Sequence, residues 1–312
     1  MIVLESVTKS YGPLKALDSA DLNIPEGSVY GIIGPNGAGK TTAMSIMAGL
    51  LKRDGGKVRV AGDDPQTDSK AVRASIGYMP DFFGVYDGLT SKEYLLFFAA
   101  TQSVRSQARA AVVADLLALV DLEDKADADV NGLSRGMKQR LSLARALVHD
   151  PAVLILDEPA SGLDPRARIH LRELISELNR MGRTIVISSH ILSELEGMCS
   201  HLAVIDHGKV VVDGTVESLR SDAAGTRNIR VRIDVSAVET TERWLRDQTE
   251  VGSVMVERDV CDFKFTGDEA VGADLLRRAI GAELPIVEWS YHGQSLESIF
   301  MKLTGGESGD QT

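Results

Sequence analysis

The run Gly34-Pro35-Asn36-Gly37-Ala38-Gly39-Lys40-Thr41 sets glycines, a lysine and a hydroxyl at the spacing G-x-x-x-x-G-K-[ST]. Each residue type has a physical task. Glycines let the backbone wrap a phosphate without Cβ clashes. Successive N–H groups and a helix N-terminus then point at the anion. Lys40 places a point charge on the β- and γ-phosphates, Thr41 offers its hydroxyl to Mg²⁺, and Thr42 stands beside them as a further contact. The bland alternative, a Gly-rich turn without a ligand, fits the context poorly. An apolar run, Val29–Ile33, precedes the loop and an apolar helical pattern, Lys40–Leu51, follows it.

A second pattern is Val153-Leu154-Ile155-Leu156-Asp157-Glu158-Pro159. Four apolar residues make a buried strand and two carboxylates end it. Neighbouring strand residues face opposite ways. Asp157 can therefore hold Mg²⁺ while Glu158 points at an attacking water. Alone this pattern is common; together with the glycine loop it completes a nucleotide site.

These groups need a scaffold. Ile2–Tyr11 and Leu14–Ile24 read as strands joined by a turn at Gly12–Pro13. Val29–Ile33 reads as a buried strand, and strand, Gly-rich loop and helix open a parallel α/β domain. From about Ser91 to Asp129 the pattern is mainly helical, with Leu95, Phe98, Val112, Leu116 and Leu119 on inward faces. It then predicts a helix from Ser134 to about His149, a helix over Arg166–Arg180, the strand Thr184–Ser188 and a helix over His190–Met198. Short strands follow at Leu202–Ile205 and Lys209–Val212. A three-layer nucleotide-binding core results. Gly214–Arg227 marks a boundary, with Ser-Asp-Ala-Ala-Gly as linker. Beyond it the order is strand, helix, strand, strand, helix, strand from Ile229 to Tyr291, the ferredoxin-like split βαβ. A helix over Leu296–Leu303 follows, then a polar, fraying tail. The expected domains are 1–220, with a helical subdomain at about 86–150, then 228–304, then the tail 305–312.

Other motifs narrow the kind of nucleotide enzyme. Leu133-Ser134-Arg135-Gly136-Met137-Lys138-Gln139-Arg140 precedes the Asp157 strand and resembles the signature LSGGQ of ABC ATPases. Ser161-Gly162-Leu163-Asp164 stands where that family has its D-loop. His190 stands where it has a switch histidine, and Tyr11 where a tyrosine stacks on adenine. Singly, such a tyrosine or histidine is an ordinary surface or packed residue. In this order, over roughly the first 220 residues, the motifs identify the chain as a member of the ABC ATPase family.

The resemblance implies an α/β P-loop cassette with a RecA-like core, a helical lobe and an N-terminal antiparallel β lobe. It implies ATP and Mg²⁺ at the site. It also implies a head-to-tail dimer in which Ser134 and Gly136 reach the γ-phosphate held by the other subunit, with Asp164 of the D-loop among the nucleotide-binding residues. Glu158 would serve as general base or water-orienting group, and His190 would contact the γ-phosphate.

Three positions depart from the family pattern. Asp81, after the strand Ile76–Met79, replaces the usual glutamine; it either joins the Mg²⁺ shell with Thr41 and Asp157 or caps a turn. Arg135 replaces the first signature glycine, its side chain reaching either phosphate or solvent. Met137 replaces the signature glutamine, and nothing in its chemistry explains the change. Phe82, Phe83 and Val85 either form a docking groove for a membrane-protein helix or pack inside the helical lobe.

The stretches YMPDFFGVYDGLT and LSRGMKQR, and the extra C-terminal domain, resemble drug- and polysaccharide-exporter subunits. These imply a separate polytopic membrane permease, a second ATP-binding subunit, and a place on the inner face of the cell membrane. Composition agrees. With 312 residues the chain exceeds one core. A net charge of −11 gives no general pull toward nucleic acid. Two distant cysteines, Cys199 and Cys261, suit a reduced compartment and form no metal cluster. No leader is expected at the N-terminus, and no apolar run nears the ~20 residues of a membrane helix. The rivals are a non-transport ABC ATPase and a regulatory nucleotide-binding module. One cassette in an acidic chain argues against the first, and Glu158 with His190 against the second.

Overall fold

The computed structural model describes residues 1–81, 84, 88–195, 197–222, 227–267 and 269–292. Phe82, Phe83, Val85, most of the expected linker, the expected helix Leu296–Leu303 and the tail lie outside the described residues. The chain divides into two compact units, Met1–Thr215 and Val216–Thr312.

The first unit holds strands β1 (Ile2–Tyr11), β2 (Leu14–Ile24), β3 (Val29–Ile33), β4 (Gly55–Val60), β5 (Ile76–Met79), β6 (Val153–Leu156), β7 (Thr184–Ser189), β8 (His201–Asp206) and β9 (Lys209–Thr215). Its helices are α1 (Lys40–Met47), α2 (Ser69–Ser75), α3 (Ser91–Thr101), α4 (Arg109–Leu119), α5 (Arg135–Leu147), α6 (Pro165–Arg180) and α7 (Leu192–Leu195). Six strands form one sheet in the order β5-β6-β7-β3-β8-β9. The first five are parallel and β9 returns antiparallel to β8. All five residues of β3 are buried, as a strand covered on both faces requires. β3, β6 and β7 therefore deliver their C-terminal ends side by side, where ligands bind in open α/β sheets.

A second sheet, antiparallel in the order β2-β1-β4, packs against the first. Its β4 was invisible to pattern reading because Gly55 and Gly56 interrupt the alternation. One core joins both sheets to α1 through Leu4, Leu17, Ile32, Met44, Ile155 and Val186.

The stretch from Ser91 to Asp129 is mainly helical, as expected, and holds two helices separated where Ser103 takes φ 61°. The second ends before Asp121 at φ 54°, and 3₁₀ turns follow at Glu123–Lys125 and Val130–Gly132. Two other helical expectations are corrected. α1 stops at Met47 rather than Leu51, since Gly49 turns left-handed at φ 68° and closes it. The helix after His190 is only Leu192–Leu195, with Gly197 at φ 76° beyond it.

The second unit runs α8 (Val216–Asp222), β10 (Arg227–Ile233), α9 (Val238–Arg246), β11 (Val251–Glu257), β12 (Val260–Phe265), α10 (Glu269–Gly281) and β13 (Ile286–His292). Its sheet order is β11-β12-β10-β13 with every neighbour antiparallel, the ferredoxin-like arrangement. Ile229, Val231, Leu245, Phe263, Phe265 and Leu275 make its own core. No helix among the described residues is long and apolar enough to cross a membrane.

Candidate active site

The loop after β3 feeds α1, and Gly39 precedes the helix at φ 112°. A Cβ there would lie 2.3 Å from the Ala16 carbonyl oxygen of β2, so only glycine allows this approach. Gly37, at φ 83°, faces open space. Asn36, Gly37, Ala38, Gly39, Lys40, Thr41 and Thr42 line a cleft of about 390 Å³ with Tyr11, Asp81, Glu158, Ser161 and His190. Gly34 and Pro35 do not line it. A Cβ on Gly34 would lie 2.2 Å from the Ile205 carbonyl oxygen, so packing against β8 explains that glycine. Instead their carbonyl oxygens accept from Lys40 Nζ, at 2.8 Å for Gly34 and 3.3 Å for Pro35. Tyr11 reaches the cleft from the end of β1, half exposed, with Lys9 Nζ 5.6 Å from its ring centroid.

Asp157, at the end of β6, is 1 % exposed. Its Oδ1 accepts from Ser188 Oγ at 2.6 Å, and its Oδ2 is buried with no hydrogen-bond partner. Burial raises its carboxyl above the usual aspartate range; the Ser188 and Thr41 hydroxyls pull it down, and the Glu158 and Asp81 charges push it up. An orphaned buried carboxylate oxygen with a threonine hydroxyl nearby suits a hard cation. Mg²⁺ takes one or two carboxylates and fills its other positions with phosphate oxygens and water. The residues present fit that ion. No group of three or more His, Cys, Asp or Glu among the described residues offers an all-protein cage.

Glu158 takes a left-handed backbone at φ 49°, a strained state for a non-glycine residue, costing about 1–3 kcal/mol. That geometry turns its side chain into the cleft. Oε1 lies 3.4 Å from Lys40 Nζ and Oε2 2.8 Å from His190 Nδ1. Lys40, Glu158 and His190, read from three separate motifs, thus meet around one carboxylate.

Ser134, Gly136 and Asp164 gather elsewhere, in a second cleft of about 440 Å³ lined also by Arg135, Arg140, Arg166 and His170. Ser134 caps α5, its Oγ accepting from the Met137 N–H at 3.3 Å, which leaves the hydroxyl hydrogen free to donate outward. A Cβ on Gly136 would meet nothing closer than 3.7 Å, so no contact inside the chain demands glycine there. Asp164 caps α6 by accepting from the Ala167 N–H at 2.8 Å. The Arg135 side chain is exposed, the solvent alternative of the two, and its guanidinium lies on Gly162 with Nη2 3.5 Å from Ser161 Oγ.

Sequence reading missed three positioning groups. Ser188 accepts the Glu158 N–H at 2.8 Å while donating to Asp157; a serine pair ending an apolar strand was its signal. Ser189 Oγ donates to buried Glu194 at 2.6 Å and accepts the Ile191 N–H at 3.0 Å, fixing the turn that carries His190. Gln139 is buried, and its amide donates to the carbonyl oxygens of Pro159 at 3.0 Å and Glu158 at 3.4 Å. A neutral polar residue on the apolar face of a helix could have flagged it.

The family model described as "ABC transporter" matches residues 17–161, a span that holds the glycine loop and both carboxylates. The Nod factor export ATP-binding protein I of Burkholderia orbicola (strain AU 1054) is 35% identical over 310 residues, covering 99% of this chain and 98% of that protein. The daunorubicin/doxorubicin resistance ATP-binding protein DrrA of Streptomyces peucetius is 34% identical over 318 residues, covering 100% of this chain and 94% of that one. Among solved structures, a dimeric ATP-binding cassette in a post-hydrolysis state with ADP and Pi superposes with a TM-score of 0.64 at 27% identity, covering 69% of this chain and 99% of that one. A fold shared with working cassettes and relatives matched along nearly their whole length place the chain in the ABC transporter family, as an ATP-binding and ATP-hydrolysing subunit of the exporter type.

Proposed function

We propose that Glu158 activates or orients the water that attacks the γ-phosphate of ATP, in a two-fold pair of these chains that drives a separate polytopic permease. The observation that carries the reading is the Glu158 carboxylate held between Lys40 and His190 at the mouth of the glycine loop. The loop N–H groups and the α1 N-terminus hold the phosphates. Lys40 exchanges its loop carbonyls for β- and γ-oxygens. His190 senses the γ-phosphate through its bond to Glu158, and Tyr11 stacks on the base. Thr41 and Asp157, with Asp81, would hold Mg²⁺, which supplies charge neutralisation at the phosphate oxygens.

The second cleft fits a phosphate presented by a partner. Ser134 and Gly136 at the α5 N-terminus line this cleft, and a two-fold pair would bring the partner's phosphate to each. No helix among the described residues is long and apolar enough to cross a membrane; the exporter-type relatives support an export path in a membrane partner, with this chain against the inner face. The cargo is that partner's to select.

Glu158→Gln separates binding from turnover. Phosphate release should fall by about 10²–10⁴-fold while ATP binding persists; retained turnover removes Glu158 from its role. A tagged chain recovered from detergent-solubilised membranes should bring down a polytopic protein in near-equal amount. Recovery of soluble partners or ribosomes alone overturns the transport role and leaves the ATPase intact.

A further inference from the structure

Two side chains on one face of α5 lean on the segment that carries the catalytic carboxylate. Arg135 and Gln139 are four residues apart and so lie above one another on the helix. Gln139 holds the carbonyl oxygens of Glu158 and Pro159. Ser188 holds the Glu158 N–H from the opposite side. The strained residue is thus gripped on both of its peptide groups, which is what a left-handed glutamate needs to persist. One turn earlier, the Arg135 guanidinium covers Gly162. A Cβ on Gly162, itself at φ 67°, would sit 2.3 Å from Arg135 Cζ. Arg135 Nη2 reaches Ser161 Oγ, and Ser161 lines the glycine-loop cleft. Arg135 itself lines the other cleft, beside Ser134 and Gly136. The same face of one helix therefore lines one cleft and contacts Ser161 and Glu158 of the other.

We propose that Arg135 and Gln139 are positioning residues that couple the cleft receiving the partner's nucleotide to the catalytic carboxylate of their own chain. The proposal rests on the head-to-tail pairing given above. When a phosphate docks at Ser134 and Gly136, a shift of the α5 N-terminus moves the Arg135 and Gln139 contacts together, and Glu158 moves with the backbone they hold. A planar guanidinium suits this task because it can lie flat on Gly162 while one nitrogen reaches Ser161; an ammonium cannot do both.

The test uses the purified full chain with Arg135→Ala, Arg135→Lys, Gln139→Met and Gln139→Glu. Steady-state hydrolysis is read as kcat and KM, alongside ATP-dependent dimer formation in a Glu158→Gln background. Arg135→Ala and Gln139→Met are expected to lower kcat roughly 10- to 100-fold with KM near the parent value, the pattern of a misplaced reacting group. Their ATP-bound dimers should form at the parent's ATP concentration. Arg135→Lys should restore less than half of the loss. Gln139→Glu, which sets a carboxylate against two carbonyl oxygens, should be at least as slow as Gln139→Met. Parent-like kcat in both Arg135→Ala and Gln139→Met overturns the proposal. So does a loss of ATP-dependent dimers equal to the loss of kcat, which would make both residues part of the docking surface. If the Glu158→Gln chain itself forms no ATP-dependent dimer, the head-to-tail reading fails, and this one with it.

Discussion

Burial takes Asp157 out of water with one oxygen on Ser188 and the other without a hydrogen bond, and its carboxyl is raised in consequence. A raised folded value means that the contribution to stability is present below the unfolded value, about 3.9, and is lost as pH rises through the folded one. Ionisation of Asp157 as pH rises therefore works against the fold of the metal-free chain. Asp157→Asn should raise the melting temperature of the metal-free chain at neutral pH while abolishing Mg²⁺-dependent hydrolysis; 1 kcal/mol corresponds to about 2–4 °C in a domain of this size. The gain should shrink as pH falls toward about 4, and a gain independent of pH would remove this origin. Asp81 lines the glycine-loop cleft, and its charge helps to raise the Asp157 carboxyl. Asp81→Ala is expected to raise the Mg²⁺ concentration needed for half-maximal hydrolysis; an unchanged requirement leaves Asp81 as a turn residue. At this scale the chemistry was legible wherever it lay in one contiguous run, as in Gly34–Thr41 and Asp157–Glu158. Ser188 and Gln139 were not legible, because their worth lies in hydrogen bonds that join β6 to β7 and to α5, and a spacing rule cannot see across elements.

Two glycines show how elements set the demand on a residue. Gly39 is left-handed and pressed against the Ala16 carbonyl of β2. Gly39→Ala should cost more than about 2 kcal/mol through strain and clash and remove nucleotide binding, as read by melting and by a fluorescent ATP analogue. Gly136 has ordinary backbone and room for a Cβ. Gly136→Ala should leave the melting temperature of the isolated chain within the scatter of a surface change, about 0.5 kcal/mol, yet lower hydrolysis at concentrations where chains pair. Equal destabilisation by the two changes would contradict this. The strands β3 and β6, and the Ile185–Ile187 run of β7, were legible because burial on both faces selects apolar residues. β4 was not, since Gly55 and Gly56 earn their places by approach: a Cβ on Gly56 would lie 2.4 Å from the Ser6 carbonyl oxygen of β1. The helical character of Ser91 to Asp129 was legible, but the break between its two helices was not placed, because it rests on Ser103 at φ 61°, a residue that gives little warning of a left-handed turn.

Each of the two units carries its own core, one around Leu17, Ile32 and Met44 and the other around Val231, Phe263 and Phe265. A chain ended at Thr215 should fold and bind ATP, and the second unit should give a separate cooperative transition. Loss of nucleotide binding on truncation would show that the first unit depends on the second. The strand-helix order of the second unit was legible from alternation alone, whereas its use was not, because no residue in it demands a reaction. The glycine-loop cleft and the signature cleft have no lining residue in common, and this separation has a genetic consequence for cells that carry two defective alleles. In a head-to-tail pair of one Lys40→Ala chain and one Ser134→Ala chain, both lesions fall in the same composite pocket and the other pocket is whole. Such alleles should complement each other in part. Two alleles that both damage the glycine-loop cleft spoil one pocket each and should not.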